Sequence, residues 1–288
     1  MIGWNEVDAV PLLFSLAYRL PVVARRYPLL LMPGRIYEAW VIVFLCQRMG
    51  GRLQFAMNAF AWPLQDDVFL AFDRLLGFDY VAFMHWYTGF PAVYGALTWV
   101  YGLLGEATLA TFVVGLLARR SERIGERYLA SLLITVMITC LIGGLVPATS
   151  AVTLLDPEMA KMATGATPLD QFFAVREGLI RVMPERMGGL ITCPSLHVGL
   201  GLLIVYWTRR IWWARPVLGP AGVIFMLTAI PNGAHYILDC LAGGLVAWIA
   251  IVLTNALYAV RSPIVAVAIA NAGAAEGAPG MRSGLAGR

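Results

Sequence analysis

Long apolar runs broken by short basic clusters set the pattern of this chain. Runs at 37–60, 92–118 and 128–147, followed by shorter ones at 195–208, 216–232 and 236–258, predict about six membrane-spanning helices. Roughly 20 apolar residues suffice to carry a helix across the hydrocarbon core. The first run is irregular, because Arg48 and Arg52 flank Met49-Gly50-Gly51. It reads either as one helix with its charges facing the bundle or as two short helices meeting at a Gly-Gly turn. Val10–Leu20 is too short to span and carries Arg19, so 1–36 is an expected interfacial segment. Residues 62–90 mix Asp66, Asp67, Asp73 and Asp79 with aromatics and predict an interfacial helix and loop. The longest segment expected outside the membrane is 148–192, and the Ala/Gly-rich stretch 261–288 predicts a disordered tail. The expected fold is all-α, a polytopic membrane helical bundle over 37–260, with no internal repeat and no soluble domain.

Composition agrees with that pattern. Of 288 residues 60% are hydrophobic and only 13% charged, too little charge to cover a soluble domain of this size. The net charge of +4 is gathered in clusters between runs, without the Lys/Arg stripe of a nucleic-acid binder. If the basic clusters at 19–35, 119–127, 209–215 and the tail all lie on one side, the positive-inside rule makes that side cytoplasmic. The C-terminus is then cytoplasmic, and 148–192 faces outward at the cell membrane. The N-terminus carries Glu6 and Asp8 without a basic n-region and does not read as a cleavable signal peptide. Four scattered cysteines without a CxxC pair predict neither a structural zinc site nor a disulfide framework.

The candidate chemistry lies in two of the three histidines. Cys193-Pro194-Ser195-Leu196-His197 opens one helix and Asn232-Gly233-Ala234-His235 opens another, both at the outward ends. His235 and Asp239 stand four apart and share one helical face. A carboxylate beside an imidazole fixes its tautomer and raises its basicity, and the second imidazole, His197, can then act as general acid. Ser195 adds a hydroxyl at a helix N-terminus, a place that attracts phosphate. Taken singly, each element is ordinary: an i,i+4 His/Asp pair is more often structural, and Pro-Ser is a common helix opening. Two such groups converging at membrane depth favour a functional reading. His85 has no partner in view and reads as structural.

Pro194-Ser195-Leu196-His197 resembles the Pro-Ser-x-His motif of the type 2 phosphatidic acid phosphatase superfamily. His235-Tyr236-x-x-Asp239-x-x-x-Gly243 resembles that superfamily's His-x-x-x-Asp-x-x-x-Gly motif, roughly 38 residues further on. The branch most similar is the inositol phosphorylceramide synthase-like one, to which Phe72–Asp79, Val146-Pro147-Ala148 and Arg176-Glu177-Gly178 also look similar. The resemblance extends from about residue 60 to 255. It implies a lipid phosphatase or phosphotransferase that needs no metal or other cofactor. In it His235 would attack phosphorus to form a phosphohistidine, Asp239 would hold His235, His197 would protonate the leaving alcohol and Ser195 would help seat the phosphate. The partners it implies are a lipid phosphate or phospholipid substrate, a water or alcohol acceptor and the bilayer.

The pattern departs from the superfamily in two places. The Lys-x6-Arg-Pro motif has no counterpart, and the expected Ser-Arg pair ahead of the nucleophile is Thr228-Ala229. A transferring phosphoryl group needs cationic partners, and Arg176 and Arg181 in the outward loop are the candidates, with Arg186 and Lys161 behind them. Two other classes compete. One is a transporter or channel with Arg48, Arg52, Glu106 and the His/Asp pair along a polar path; the other is a metal or haem protein liganded by His197 and His235.

Overall fold

The computed structural model describes residues 31–118, 123–184 and 188–276. Arg186 and most of the predicted N-terminal interfacial segment lie outside the described residues. Within them the chain is all-helical, without strands.

The first apolar run forms one helix, α1 (Leu31–Ala59). There is no Gly-Gly turn, because Gly50 is buried against a neighbouring helix: a Cβ there would stand 3.3 Å from Val136, and the Cys140 thiol donates to the Gly50 carbonyl at 3.7 Å. Arg48 and Arg52 are exposed instead of facing the bundle, and Arg48 lies over the Phe44 ring.

The mixed segment forms two helices, α2 (Asp66–Leu75) and α3 (Tyr80–Thr88). Asp79 caps α3 by accepting from the Ala82 N–H at 3.0 Å, satisfying a donor that the first turn leaves open. The run 92–118 divides at Leu103 into α4 (Pro91–Gly102) and α5 (Leu104–Leu117), bent by 53°. Helix α6 is Ile124–Leu145. The segment 148–192 holds a 3₁₀ turn (Ala151–Leu154), α7 (Pro157–Ala160) and α8 (Leu169–Arg176). Helices α9 (Leu196–Thr208), α10 (Arg215–Gly233) and α11 (Ile237–Glu276) complete the bundle.

Among the described residues three helical stretches are long and apolar enough to cross a membrane: α6, α10 and Ile237–Ala259 of α11. The count reaches four if the bent α4–α5 pair is one span, against about six expected. The difference is physical. Helix α1 carries charge through its middle, and α9 has 13 residues, which at 1.5 Å per residue is about 20 Å against a core of about 30 Å. Helix α11 also continues through 261–276, where a disordered tail is expected; the alanines there are strong helix formers.

Packing centres on α9, which contacts α5, α6, α10 and α11. Gly201 and Gly222 let α9 and α10 meet backbone to backbone, since a Cβ on either would fall within 2.7 Å of the other's carbonyl oxygen. Tyr128, Leu203, Ile204, Phe225 and Ile251 fill the core between helices. A second core, with Phe69, Tyr80, Met84, Tyr87 and Tyr236, lies against the segment 148–192.

Candidate active site

Three helix beginnings and endings meet beside that second core. Ser195 has extended backbone and its Oγ accepts from the Val198 N–H at 3.5 Å, so it caps α9 and is itself fully buried. Its own N–H donates to the Asp239 carbonyl at 2.9 Å. One backbone bond thus joins the start of α9 to the first turn of α11. Gly243 makes that approach possible: a Cβ there would stand 2.2 Å from the Ser195 carbonyl oxygen. With Ser195 and Val198 engaged, the first-turn N–H groups of Leu196 and His197 are those without a partner inside the helix.

Helix α10 ends at Gly233, and Ala234 turns the chain in the left-handed region (φ +52°) so that α11 can start. The segment 148–192 holds this turn by its backbone. Ala151 donates to the Ala234 carbonyl at 2.9 Å and Gly165 to the Asn232 carbonyl at 2.8 Å. The Asn232 side chain is wholly buried, donating to Thr98 at 2.7 Å and accepting from the Tyr87 hydroxyl at 3.2 Å.

The predicted His/Asp pair forms. His235 Nδ1 lies 3.2 Å from Asp239 Oδ2, with both side chains buried. The other ring nitrogen faces the space shared with the second histidine: a Cβ on Gly233 would lie 3.1 Å from both His235 Nε2 and the Tyr101 hydroxyl. His197, half-buried in the first turn of α9, stacks on Tyr101 with centroids 4.0 Å apart and planes 4° apart, its Nδ1 3.3 Å from the hydroxyl. Tyr101 therefore packs on His197 with its hydroxyl near the Nε2 edge of His235. Sequence reasoning missed it, since one tyrosine inside an apolar run carries no signal without the bend at Leu103 that ends α4 beside it.

Two aspartates of α2, read from the sequence only as interfacial, hold the start of α11. Asp73 Oδ1 accepts from the Ile237 N–H at 3.0 Å, and Asp66 accepts from the Tyr236 hydroxyl at 3.1 Å and from the Thr149 and Ser150 N–H groups. Burial, together with the nearby Asp239 charge, raises the Asp73 carboxyl above its ordinary range despite the Ile237 bond. Burial and the facing Asp66 carboxylate raise the Tyr236 phenol. Cys193, just before the cap, is free, as is Cys240, and burial pushes the Cys193 thiol to about 12.

The candidate cations are held differently. Arg176 donates to the Trp62 carbonyl at 2.6 Å and lies over Phe172, with its other terminal nitrogen buried and unpaired; burial lowers its pKa while Asp66 opposes the shift. Its charge is within electrostatic reach of Asp66, the carboxylate that accepts from Tyr236. Arg181 is exposed and donates to the Gly178 carbonyl at 3.2 Å, and Lys161 pairs with Glu158. Thr228 and Ala229 are buried within α10, Thr228 bonding the Ile224 carbonyl, and bring no charge to the site. His85 is exposed on α3. No group of three or more His, Cys, Asp or Glu side chains suited to a metal occurs among the described residues.

The sequence model of the PAP2 superfamily matches residues 67–253, from α2 to the middle of α11, and so includes both histidines and the aspartate. No curated protein and no solved structure matches the chain.

Proposed function

We propose that this chain, which belongs to the PAP2 superfamily, moves a phosphoryl group off a membrane lipid through a phosphohistidine on His235, at the non-cytoplasmic face. The observation that carries the reading is the pairing of His235 Nδ1 with Asp239, which leaves Nε2 turned toward Tyr101 and His197.

In the first step Nε2 of His235 attacks phosphorus, the P–O bond to the lipid breaks, and His197 gives its proton to the departing alkoxide. Burial and the nearby His235 lower the His197 pKa to about 3, so the negative charge of the bound phosphate must raise it for His197 to carry that proton. Asp239 stabilises the positive charge that develops on the His235 ring. In the second step water or an alcohol attacks the phosphohistidine, His197 takes its proton and the P–N bond breaks. The Tyr101 hydroxyl holds His197 Nδ1, so the proton travels on Nε2. Each positioned proton transfer is worth about 10²–10⁴-fold. The free N–H groups of the α9 first turn and the Arg176 guanidinium supply the phosphate seat, with Ser195 fixing the turn from beneath. The acceptor decides between hydrolysis and headgroup transfer of the inositol phosphorylceramide synthase type, a branch supported by the motif residues alone. The scheme uses no metal.

Phosphate release from a panel of lipid phosphates, by protein purified in detergent with EDTA present, tests the reading. Release should fall at least about 10³-fold in His235→Ala and about 10²–10⁴-fold in Asp239→Asn and His197→Ala. If wild type releases nothing, headgroup exchange with added alcohols is the reaction to look for. Activity that survives both histidine substitutions would refute the assignment.

A further inference from the structure

The bundle carries a second polar site at its other end. Arg209, at the end of α9, is 12 residues beyond His197, or about 18 Å along the helix. There the start of α6, the end of α9 and α11 enclose a cavity of about 250 Å³ lined by Arg127, Arg209, Arg210, Tyr206, Asn255 and Trp207.

The cavity is a built feature. Its helices are cross-linked by a buried chain in which Trp207 Nε1 donates to Ser131 Oγ at 3.2 Å and Ser131 bonds Thr254 at 3.0 Å. Asn255 donates to the Tyr206 hydroxyl at 2.9 Å and accepts from Arg127 at 3.4 Å. Arg209 stacks on Tyr206 and bonds its carbonyl, and Arg127 stacks on Tyr258. Three guanidinium groups thus line one small space, and no carboxylate is among the described residues lining it. Among the described residues of that turn, the acid Glu126 faces Arg123 at 3.7 Å. The Arg127 Nε is buried without a hydrogen-bond partner, an arrangement that costs stability unless an acceptor arrives. The start of α6 adds uncapped N–H groups and the positive end of a 22-residue helix.

The cavity also continues into an apolar surface. Arg209 and Arg210 line a neighbouring open groove of about 950 Å³ with Val205, Trp212, Pro216 and Val223. Trp212 and Trp213 are exposed there, as aromatic residues are at a membrane–water interface. Pro220 links that groove to an apolar cleft against Val100 and Leu103 at the α4–α5 bend. Cationic cavity, aromatic rim and apolar groove follow the order of phosphate, glycerol and acyl chain in a phospholipid.

We propose that this end of the bundle binds an anionic phospholipid, its phosphate against Arg127 and Arg209 and its acyl chains along α9 and α10. The site does not depend on the catalytic reading, so the test reads retention of lipid and not turnover. Protein in detergent is offered equal phosphatidylglycerol and phosphatidylcholine, and the retained lipid is counted by native mass spectrometry. Wild type and His235→Ala should both prefer phosphatidylglycerol about tenfold, and inorganic phosphate at millimolar concentration should not displace it. Arg127→Gln should remove the preference. Asn255→Asp, which sets a carboxylate against Arg127, should do so with every arginine kept, and serves if Arg127→Gln does not fold. Equal retention of the two lipids by wild type, or a preference kept in Arg127→Gln or Asn255→Asp, overturns the proposal. A preference lost in His235→Ala assigns the lipid to the catalytic end, and displacement by phosphate assigns the cavity to the free anion.

Discussion

Tyr101 does two things for one imidazole: its ring lies flat against His197 and its hydroxyl meets Nδ1. Tyr101→Phe keeps the stack and removes the hydrogen bond. A hydrogen bond to a charged group is worth about 1.5–3 kcal/mol, so turnover should fall about 10- to 100-fold with folding intact and with a displaced pH–rate profile. Turnover within twofold of wild type and an unmoved profile would reduce Tyr101 to packing. Asp73 acts at a distance from the chemistry, through the Ile237 N–H. Its carboxyl is raised in the folded state by burial, so folding favours its protonated form. The stability it lends is full below the unfolded pKa and is lost as pH rises through the raised folded value. Asp73→Asn, with its carbonyl oxygen still accepting from Ile237, should flatten that fall in thermal melts across the acidic range. A variant as pH-dependent as wild type would exclude Asp73 as the source.

At the scale of elements, the decisive contact is α9 against α11. A Cβ at Gly243 would meet backbone, the Ser195 carbonyl at 2.2 Å, and backbone cannot swing aside as a side chain can. Gly243→Ala should therefore cost about 1–3 kcal/mol of stability and reduce activity more than binding of substrate, because it separates the acid from the nucleophile. Unchanged melting and turnover would show that the helices yield freely. This level also marks what could be read in advance. The His235/Asp239 pair was legible because four residues are one helical turn, and the all-helical bundle because the apolar runs are long. The bend at Leu103 was not, since an apolar run looks alike whether straight or bent. The roles of Asp66 and Asp73 were hidden for another reason: their partners, Thr149, Tyr236 and Ile237, are more than 80 residues away in sequence. Arg48 and Arg52 misled in the opposite sense, because charge in an apolar run points inward only if the helix is surrounded.

At the scale of the whole molecule, the histidines and the arginine-lined cavity occupy opposite ends of the same helices. If the basic end is cytoplasmic, as proposed, Leu179→Cys in the segment 148–192 should react with an impermeant maleimide in intact cells. Trp212→Cys should react only after the membrane is opened. Both positions are well exposed, and the buried Cys140 and Cys193 add little background. Labelling of both from one side would refute the arrangement.

The bond from the Ser195 N–H to the Asp239 carbonyl has a consequence for how this site can diversify. It rivets the helices that bear His197 and His235 into one block, so neither can drift without moving the other. The segment 148–192 grips that block through main-chain bonds from Ala151 and Gly165, and neither position is open to change: Ala151 is fully buried, and a Cβ on Gly165 would stand 2.3 Å from Tyr101. Diversification is therefore left to the positions of this segment that do not touch the block.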